Sequence, residues 1–332
     1  MKMTNLAGKS VLLFSPYGCT KHYGQAILAE LQNRGAYVDE YDERPSQNTL
    51  IKIIIRLFKK KIPQIFDNYI KKVIAENSCK DYEYILICRG EAFTPHSIRT
   101  LRKAYPKAKV ILYLWDVMHE CAMKDVLSAC DKCMSFDPND ARENNIGFRP
   151  TFFVDDYLGV EDNTKFKYDL SFIGTMYAPR HKMMKFLDSK FKEQSLRFCK
   201  YLYVPGVLMY IKEFLIHFPF YPINKVNFSP ISIEGTIKLL NESKGILDIN
   251  PPYQVSLSTR AHEAMAARRK YITTNIHIKD YELYNPNNIF IVDINNPILP
   301  KEFFEQPFEP VPERIMYKYS VKGLIDDLFE NI

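Results

Sequence analysis

Short apolar runs alternate with amphipathic stretches along the first 150 residues. The runs at 10–15, 36–41, 85–88, 109–115 and 133–136 predict five short strands, because continuous apolar segments of this length are typical of strands buried in a parallel sheet. Helical spacing at 25–33, closed by Gly35, and at 97–104, after Pro95, predicts helices between them. Strands that alternate with helices indicate an α/β domain.

The same pattern starts again after a polar stretch at 155–167, which is interpreted as a linker. Strands are predicted at 168–173, 196–203, 245–249, 270–274 and 288–292, and helices at 179–191, at 231–241, from Ser258 and at 312–329. The predicted architecture is α/β, with two Rossmann-like doubly wound domains facing a cleft. The domains are 1–155 and 168–311, and the C-terminal segment 312–332 is expected to pack back on the first domain.

Composition narrows the class of protein. The 332 residues are 46% hydrophobic and carry a net charge of +6, which suits two globular domains. Neither a signal peptide nor a long uncharged apolar run is visible, so a cytoplasmic protein is expected. Seven cysteines predict free thiols, and Cys130 and Cys133 are interpreted as buried helical cysteines rather than as a zinc or redox pair.

One segment concentrates positive charge. Residues 50–72 carry seven Lys or Arg side chains against the single acid Asp67, interleaved with Ile, Leu and Phe at near-helical spacing. Two interpretations stay open. The segment is either a basic surface that holds the protein to anionic lipid or a core helix with a charged, solvated rim. It is too apolar for a nucleic-acid interface.

The stretch from Ser256 to Asn275 carries the most specific chemistry. Ser258 and Thr259 are residues that cap helix N-termini through their hydroxyls, and an open helix N-terminus attracts phosphate. Glu263 follows one turn later, where a carboxylate can accept two sugar hydroxyls. An ordinary capped helix with an acid near its start is the alternative.

These motifs resemble those of the GT-B glycosyltransferases, in particular the group-1-like branch that includes spore-maturation-type and lipopolysaccharide or capsule biosynthesis proteins. The matching residues are YDLSFIGT at 168–175 with Arg180, GILDI at 245–249, TRAHEAMA at 259–266 and ITTN at 272–275. The resemblance covers most of residues 80–295. It implies a nucleotide-sugar donor on the second domain and an acceptor on the first, expected to be a glycan or lipid-linked glycan, with no further cofactor. A basic surface at 50–72 would hold such an enzyme to the inner face of the cell membrane.

Carried over residue by residue, the resemblance assigns donor-binding roles. Glu263 holds the ribose hydroxyls, Ser258 and Thr259 face the diphosphate, and Arg180 with Arg260 neutralises phosphate charge. Gly174 allows close approach of the backbone to the donor. Thr175 and Tyr253 complete the predicted donor site.

The sequence departs from the retaining pattern of this fold, which places two Glu residues eight positions apart. Val255 and Tyr271 occupy the positions eight residues before and after Glu263, so inversion is expected. An inverting transfer needs a general base. The candidates follow strands of the first domain, in the order Glu91, Asp116 and His22, with His119 near Asp116.

Each candidate base also has a structural interpretation. Asp116 is equally typical of a helix cap, Glu91 of an ion pair with Arg89, and His22 of a surface histidine. Without a metal-binding Asp-x-Asp after a strand, metal-independent transfer is expected. The alternative function is a non-catalytic nucleotide-sugar or carbohydrate-binding protein on the same fold. A Rossmann dehydrogenase is disfavoured, because no Gly-x-Gly-x-x-Gly follows a strand.

Overall fold

The computed structural model describes residues 3–46, 63–118, 124–160, 165–176, 178–218, 220–251 and 254–332. The chain divides into two compact units. Unit 1 comprises 1–154, 254–256 and 317–332, and unit 2 comprises 155–253 and 257–316. Unit 1 is therefore built from three separate stretches of the chain.

Unit 1 is a parallel α/β domain. Its six strands are ordered β2-β1-β3-β4-β5-β6 in the sheet. The strands are β1 (Ser10–Ser15), β2 (Tyr37–Asp42), β3 (Tyr84–Cys88), β4 (Lys109–Leu114), β5 (Lys132–Ser135) and β6 (Gly147–Phe148), and the helices between them are α1 (Lys21–Asn33), α2 (Pro63–Glu76), α3 (Pro95–Ala104) and α4 (Pro138–Glu143). The described pairs are all parallel.

The central strands of unit 1 are buried almost end to end, which explains their continuous apolar sequences. All of Ile85–Cys88 and Val110–Leu114 is inaccessible to solvent, and helices α2 and α3 cover one face with Phe66, Ile70 and Ile98. A strand that is covered on both faces has no polar side to alternate with. The five predicted strands of this half are therefore confirmed, with ends that move by at most one residue.

Unit 2 repeats the arrangement with five parallel strands in the order β11-β10-β9-β7-β8. The strands are β7 (Tyr168–Thr175), β8 (Phe198–Tyr203), β9 (Ser243–Asp248), β10 (Lys270–Thr273) and β11 (Ile289–Ile291), and the helices are α5 (Ala178–Glu193), α6 (Val207–Ile216), α7 (Ile233–Asn241), α8 (Thr259–Ala266) and α9 (Lys301–Glu305). Helix α6 lies in the aromatic and proline-rich stretch after Pro205, where the sequence indicates a helix without defining its bounds. Two sheets with intervening helices match the predicted pair of Rossmann-like domains.

The predicted linker at 155–167 is only partly irregular. Asp155–Gly159 forms a short 3₁₀ helix whose Tyr157 is buried. Residues 161–164 lie outside the described part of the chain. The first residues of the predicted linker are therefore structured, with the Tyr157 ring buried in unit 2.

The predicted single helix at 312–329 is also wrong. The structure has two helices, α10 (Glu313–Lys318) and α11 (Val321–Phe329), separated at Tyr319 and Ser320. The Ser320 side chain accepts a hydrogen bond from the Gly323 amide and caps the second helix. A Cβ added at Gly323 would lie 2.3 Å from the Tyr317 carbonyl oxygen, so the glycine permits the close approach that the break requires.

The basic segment 50–72 is described only from Pro63 onward, where it forms the first turns of α2. Phe66 and Ile70 enter the core of unit 1, while Lys71 and Lys72 are exposed. This part matches the interpretation of a core helix with a charged rim. Residues 50–62, which include Lys59, Lys60 and Lys61, lie outside the described residues. Among the described helices, none is long and apolar enough to cross a bilayer.

Candidate functional site

Arg180 links two neighbouring strands at the carboxyl edge of the unit 2 sheet. Its guanidinium donates from Nη1 to the Thr175 carbonyl at 3.1 Å and from Nη2 to the Ile249 carbonyl at 2.8 Å. Thr175 ends β7, and Ile249 directly follows β9. Because β7 and β9 are paired, one arginine at the start of α5 joins both strand ends. The predicted position of Arg180 after the first strand of the domain is thus observed.

Gly174 lies against the same arginine. A Cβ at this position would lie 2.7 Å from the Phe172 ring and 3.1 Å from Arg180 Nη1. The Arg180 guanidinium also lies over the Phe172 ring, 5.8 Å from its centroid. The resemblance to GT-B enzymes implies that this glycine allows close approach of a donor. In the structure, packing of Phe172 and Arg180 already accounts for the missing side chain.

Ser258 has the backbone conformation of a helix N-cap, but its hydroxyl does not cap α8. The hydroxyl donates instead to the carboxylate of Asp248, the last residue of β9, and the Tyr271 hydroxyl donates to the same oxygen at 2.6 Å. The predicted hydroxyl cap is therefore wrong, because the Ser258 side chain is turned toward Asp248 and accepts no hydrogen bond from an α8 amide. Thr259 is the first residue of α8 and is half-buried.

The Glu263 carboxylate is buried in unit 2, where two side chains contact it. It is 2% exposed, and its Oε2 pairs with Nη1 of Arg260, three residues earlier on α8. The Tyr157 hydroxyl also hydrogen-bonds to Glu263. The pKa of Tyr157 is raised well above its usual range, mainly because the residue is buried and also because of the charge of Glu263. Part of the accepting capacity of this carboxylate is thus already used, and the predicted contact with ribose hydroxyls remains a prediction.

Tyr157 is a residue that the sequence analysis missed. It lies about one hundred positions before Glu263, so no spacing rule connects the two. The available signal was the apolar run from Tyr157 to Val160 inside a stretch rich in charged residues. Tyr253, the remaining predicted donor residue, lies outside the described residues.

The candidate bases of unit 1 belong to a network of charged side chains. Arg89 Nε lies 2.6 Å from Asp116 Oδ2, and Arg89 Nη2 lies 3.3 Å from Glu91 Oε2. Glu91 also pairs with Arg44. The alternative that Glu91 is an ion-pair partner of Arg89 is therefore observed. Arg89 itself has a left-handed backbone conformation, with φ of 68°, which turns the chain sharply after β3.

Strand order explains why this network forms. Arg89 follows β3, Asp116 comes two residues after β4, and Glu43 and Arg44 directly follow β2. All these strands are parallel, so their carboxyl ends share one edge of the sheet, which is where ligands sit in open α/β sheets. The sequence analysis predicted this edge for Glu91 and Asp116 but did not include Glu43 and Arg44.

Glu43 is the most deeply buried member of the network. It is inaccessible to solvent, and its carboxylate accepts the Glu91 amide at 2.9 Å. Burial raises the pKa of Glu43 to about 7, against the opposing effect of Arg89 and Arg44. The signal in the sequence was an acid and an arginine placed together at the end of a strand.

The three predicted bases differ in how far their side chains are exposed to solvent. The Asp116 side chain is 33% exposed, whereas that of Glu91 is 6% exposed. His22 lies in the first turn of α1, half-buried, with its ring 4.2 Å from that of Tyr23. His119 lies outside the described residues. The order of the candidate bases stays a prediction; of the two acids, Asp116 has the more accessible carboxylate.

The cysteines differ from their predicted setting. Cys133 lies on β5 and Cys130 in the turn before it, both half-buried, so the interpretation as buried helical residues is wrong. All six cysteines in the described part of the chain are free thiols. Within that part, no group of three or more His, Cys, Asp or Glu side chains is arranged to hold a metal ion.

Comparison with known proteins gives matches at the level of structure only. No family model and no curated protein matches the chain. The catalytic domain of starch synthase IV from Arabidopsis thaliana, bound to ADP and acarbose, superposes with a TM-score of 0.56 at 10% identity over 97% of this chain and 95% of that one. A glycosyltransferase from Rickettsia africae superposes with a TM-score of 0.52 at 12% identity, over 98% and 99%.

A third similar structure belongs to another class of enzyme. A putative UDP-N-acetylglucosamine 2-epimerase from Listeria monocytogenes superposes with a TM-score of 0.52 at 11% identity, over 99% of this chain and 98% of that one. At such low identity these similarities concern the fold and not the reaction. Together with the two parallel sheets, they show that this chain has the GT-B fold, two Rossmann-like domains in succession.

Proposed function

We propose that this protein is a glycosyltransferase that uses a nucleotide-sugar donor bound at the carboxyl edge of the unit 2 sheet. One observation carries the proposal. Arg180 and Ser258, which are 78 positions apart, are tied to the consecutive residues Ile249 and Asp248 at the end of β9. An arginine and the N-terminus of α8 are thereby anchored to the same strand end, where open α/β sheets bind ligands.

These two groups suit a diphosphate. The departing nucleoside diphosphate accumulates negative charge in the transition state, and preorganised positive groups stabilise it. Arg180 supplies a permanent charge. The first amides of α8 supply partial positive charge, and the Ser258 side chain does not cap them. We therefore propose transfer that needs neither a metal ion nor a further cofactor.

For the acceptor side we propose Asp116 as the general base. Its side chain is the more exposed of the two predicted acids, and its Oδ2 lies 2.6 Å from Arg89 Nε. We propose inversion, because Val255 and Tyr271 replace the second Glu of the retaining pattern. The proposed acceptor is a cell-surface glycan precursor of the lipopolysaccharide-core or capsule type, reached at the cytoplasmic face of the membrane with residues 50–72 near anionic lipid.

The first experiment is a thermal-shift screen of the purified protein against ADP, UDP, GDP and their sugar conjugates. A ligand at one hundred times its dissociation constant stabilises the native state by about 2.7 kcal/mol. We expect stabilisation by at least one nucleotide, lost in Arg180→Ala. If no nucleotide stabilises the wild type, the proposed donor site is incorrect.

Metal dependence is tested on the same protein. Donor turnover is measured after treatment with a chelator and again after addition of magnesium or manganese. We expect the rate to be unchanged. Turnover that disappears with the chelator and returns with either ion contradicts the metal-independent mechanism while leaving the donor site intact.

Epimerisation is a second candidate, because a protein of that class superposes over nearly the whole chain. A transferase releases free nucleotide and needs an acceptor, whereas an epimerase changes the sugar of the donor without one. A non-catalytic sugar-binding protein is the third candidate, and burial of Glu91 in ion pairs is compatible with it. Product analysis of a donor incubated with and without acceptor separates the three.

A further inference from the structure

Helix α6 of unit 2 presents an apolar face to solvent. Of its ten residues, five large apolar ones are exposed, and Phe218 and Ile223 extend the surface beyond the helix. Leu208 is 85% exposed, Leu215 74% and Phe218 73%. We call this surface the α6 patch; its members are Val207, Leu208, Ile211, Leu215, Ile216, Phe218 and Ile223.

The helix is anchored through its opposite side, so the α6 patch is not needed to hold it. Tyr210 is buried, its hydroxyl donates to the Tyr221 carbonyl at 2.9 Å, and its ring packs edge-on against Phe220. A surface helix normally carries polar side chains where it faces water. In α6 the solvent-facing side carries only Lys212 among its apolar residues.

The arrangement of charge identifies the kind of partner. Between Val204 and Ser232 the single acidic residue is Glu213, which is buried with its Oε2 3.8 Å from His217 Nε2. The exposed charges of this stretch are Lys212 and Lys225. Lys185 lies over the Tyr221 ring, 5.8 Å from its centroid. Asp188, on the same helix as Lys185, pairs with Lys200 and accepts from the Tyr221 hydroxyl, so its charge is already engaged. Within the stretch from Val204 to Ser232 the exposed charges are lysines and the one carboxylate is turned inward, which complements an anionic lipid surface.

We propose that the α6 patch is a membrane-docking surface, in which α6 lies in the plane of an anionic bilayer with its leucine face among the acyl chains. A ten-residue helix is about 15 Å long, which suits interfacial docking and is far too short for spanning. Large exposed apolar patches of this kind mark sites of protein or membrane interaction. The proposal involves neither residues 50–62 nor the sugar-transfer reaction, so its test is independent of the test of the proposed function.

The test is sedimentation of the full chain with vesicles of phosphatidylglycerol and phosphatidylcholine. The variant Leu208→Gln/Leu215→Gln removes the two most exposed leucines. Ile276→Gln/Ile298→Gln is the matched control, because these two isoleucines are also exposed in unit 2, at 64% and 59%, but lie outside the patch. Circular dichroism and thermal melting establish that both variants remain folded.

We expect the wild type and the control to bind the anionic vesicles and the α6 variant to partition at least about tenfold less, which corresponds to about 1.4 kcal/mol. Pure phosphatidylcholine should bind the wild type more weakly, because the lysines then find no anionic partner. Added salt should weaken binding without abolishing it, since burial of apolar side chains is not screened.

Three outcomes would overturn the proposal. The first is a wild type that does not bind the anionic vesicles at low salt. The second is an α6 variant that binds as well as the control, which would assign membrane binding to another surface such as residues 50–72. The third is a wild-type dimer in analytical ultracentrifugation that dissociates in the α6 variant while vesicle binding is absent. In that case the patch is covered by a second copy of the chain.

Discussion

The carboxylate of Glu263 is held by the guanidinium of Arg260 on the same face of α8. The pair is nearly buried, with the arginine side chain 18% exposed and the glutamate 3%. Charged pairs at this depth are sensitive to the loss of one partner, because the remaining charge is left without compensation. The predicted donor carboxylate therefore also has a structural role within unit 2.

Glu263→Ala should lower the free energy of unfolding by about 1–3 kcal/mol, because it leaves the buried donors of Arg260 and Tyr157 without their shared acceptor. Urea denaturation measures the change. Tyr157→Phe is the control, since it removes one of the two donors and leaves the ion pair, and it should lower stability less. An alanine variant as stable as the wild type would show that this carboxylate is not a structural element.

Gly174→Ala should destabilise unit 2 by about 1–3 kcal/mol, because the new methyl group would overlap the Phe172 ring. The matched control is Gly159→Ala, since a Cβ there meets no atom within 4 Å. Thermal melting of both variants provides the comparison. Equal stability of the two would mean that Phe172 and Arg180 move aside at little energetic expense.

Glu43 should make stability depend on pH. Its pKa is raised by burial from 4.5 to about 7, so the folded state favours the protonated form. The stabilisation from this group is complete below about pH 4.5 and is lost as the pH rises through about 7. Glu43→Gln lacks this titrating group. The free energy of unfolding of the variant, relative to that of the wild type, should therefore rise by about 1–3 kcal/mol as the pH increases from about 4.5 to about 7.

The measurement is a series of urea unfolding curves for the wild type and Glu43→Gln between these two pH values. Arg44, Arg89 and Glu91 face the same carboxylate, so each curve reports the whole network, and the difference between the proteins isolates Glu43. Parallel pH profiles of the two proteins would contradict the assignment.

Asp116→Asn should lower the rate of sugar transfer by about 10²–10⁴-fold if this residue is the general base. Nucleotide binding in the thermal-shift assay should not change, because Asp116 belongs to unit 1 and the donor is assigned to unit 2. Glu91→Gln is the comparison and should mainly lower stability through its contacts with Arg44 and Arg89. A rate loss confined to the Glu91 variant would restore the order that the sequence suggested.

The local pattern of apolar residues was sufficient to predict the strands, because burial in a parallel sheet requires an uninterrupted apolar run. The run at 109–115 and the strand Lys109–Leu114 illustrate this. The C-terminal break was not predictable in the same way. The hydrophobic pattern continues through Tyr319 and Ser320, and only the return of the Ser320 side chain to the Gly323 amide marks a new helix.

The contacts of the candidate site depend on pairs that are distant in sequence. The spacing that identified Ser258 as a cap contained no information on Asp248, which attracts its hydroxyl across a strand end. Likewise, the sequence indicated Arg89 as an ion-pair partner of Glu91 but not Arg44, which follows β2. Sequence reasoning located the strand ends that carry the chemistry, and tertiary structure determined which of their side chains are already engaged.

Unit 1 combines the N-terminal part of the chain with its last sixteen residues, and this affects how the domain is completed during synthesis. Arg34 pairs with Asp326 and donates to the Lys322 carbonyl, and the Thr4 amide donates to Asp326 as well. Arg149 Nε lies 2.7 Å from Asp327 Oδ2. A ribosome must therefore finish all of unit 2 before the segment that completes unit 1 emerges. Until then Arg34 and Arg149 lack their partners Asp326 and Asp327, although Arg34 keeps its ion pair with Glu30. A fragment ending at residue 154 would never acquire those two carboxylates.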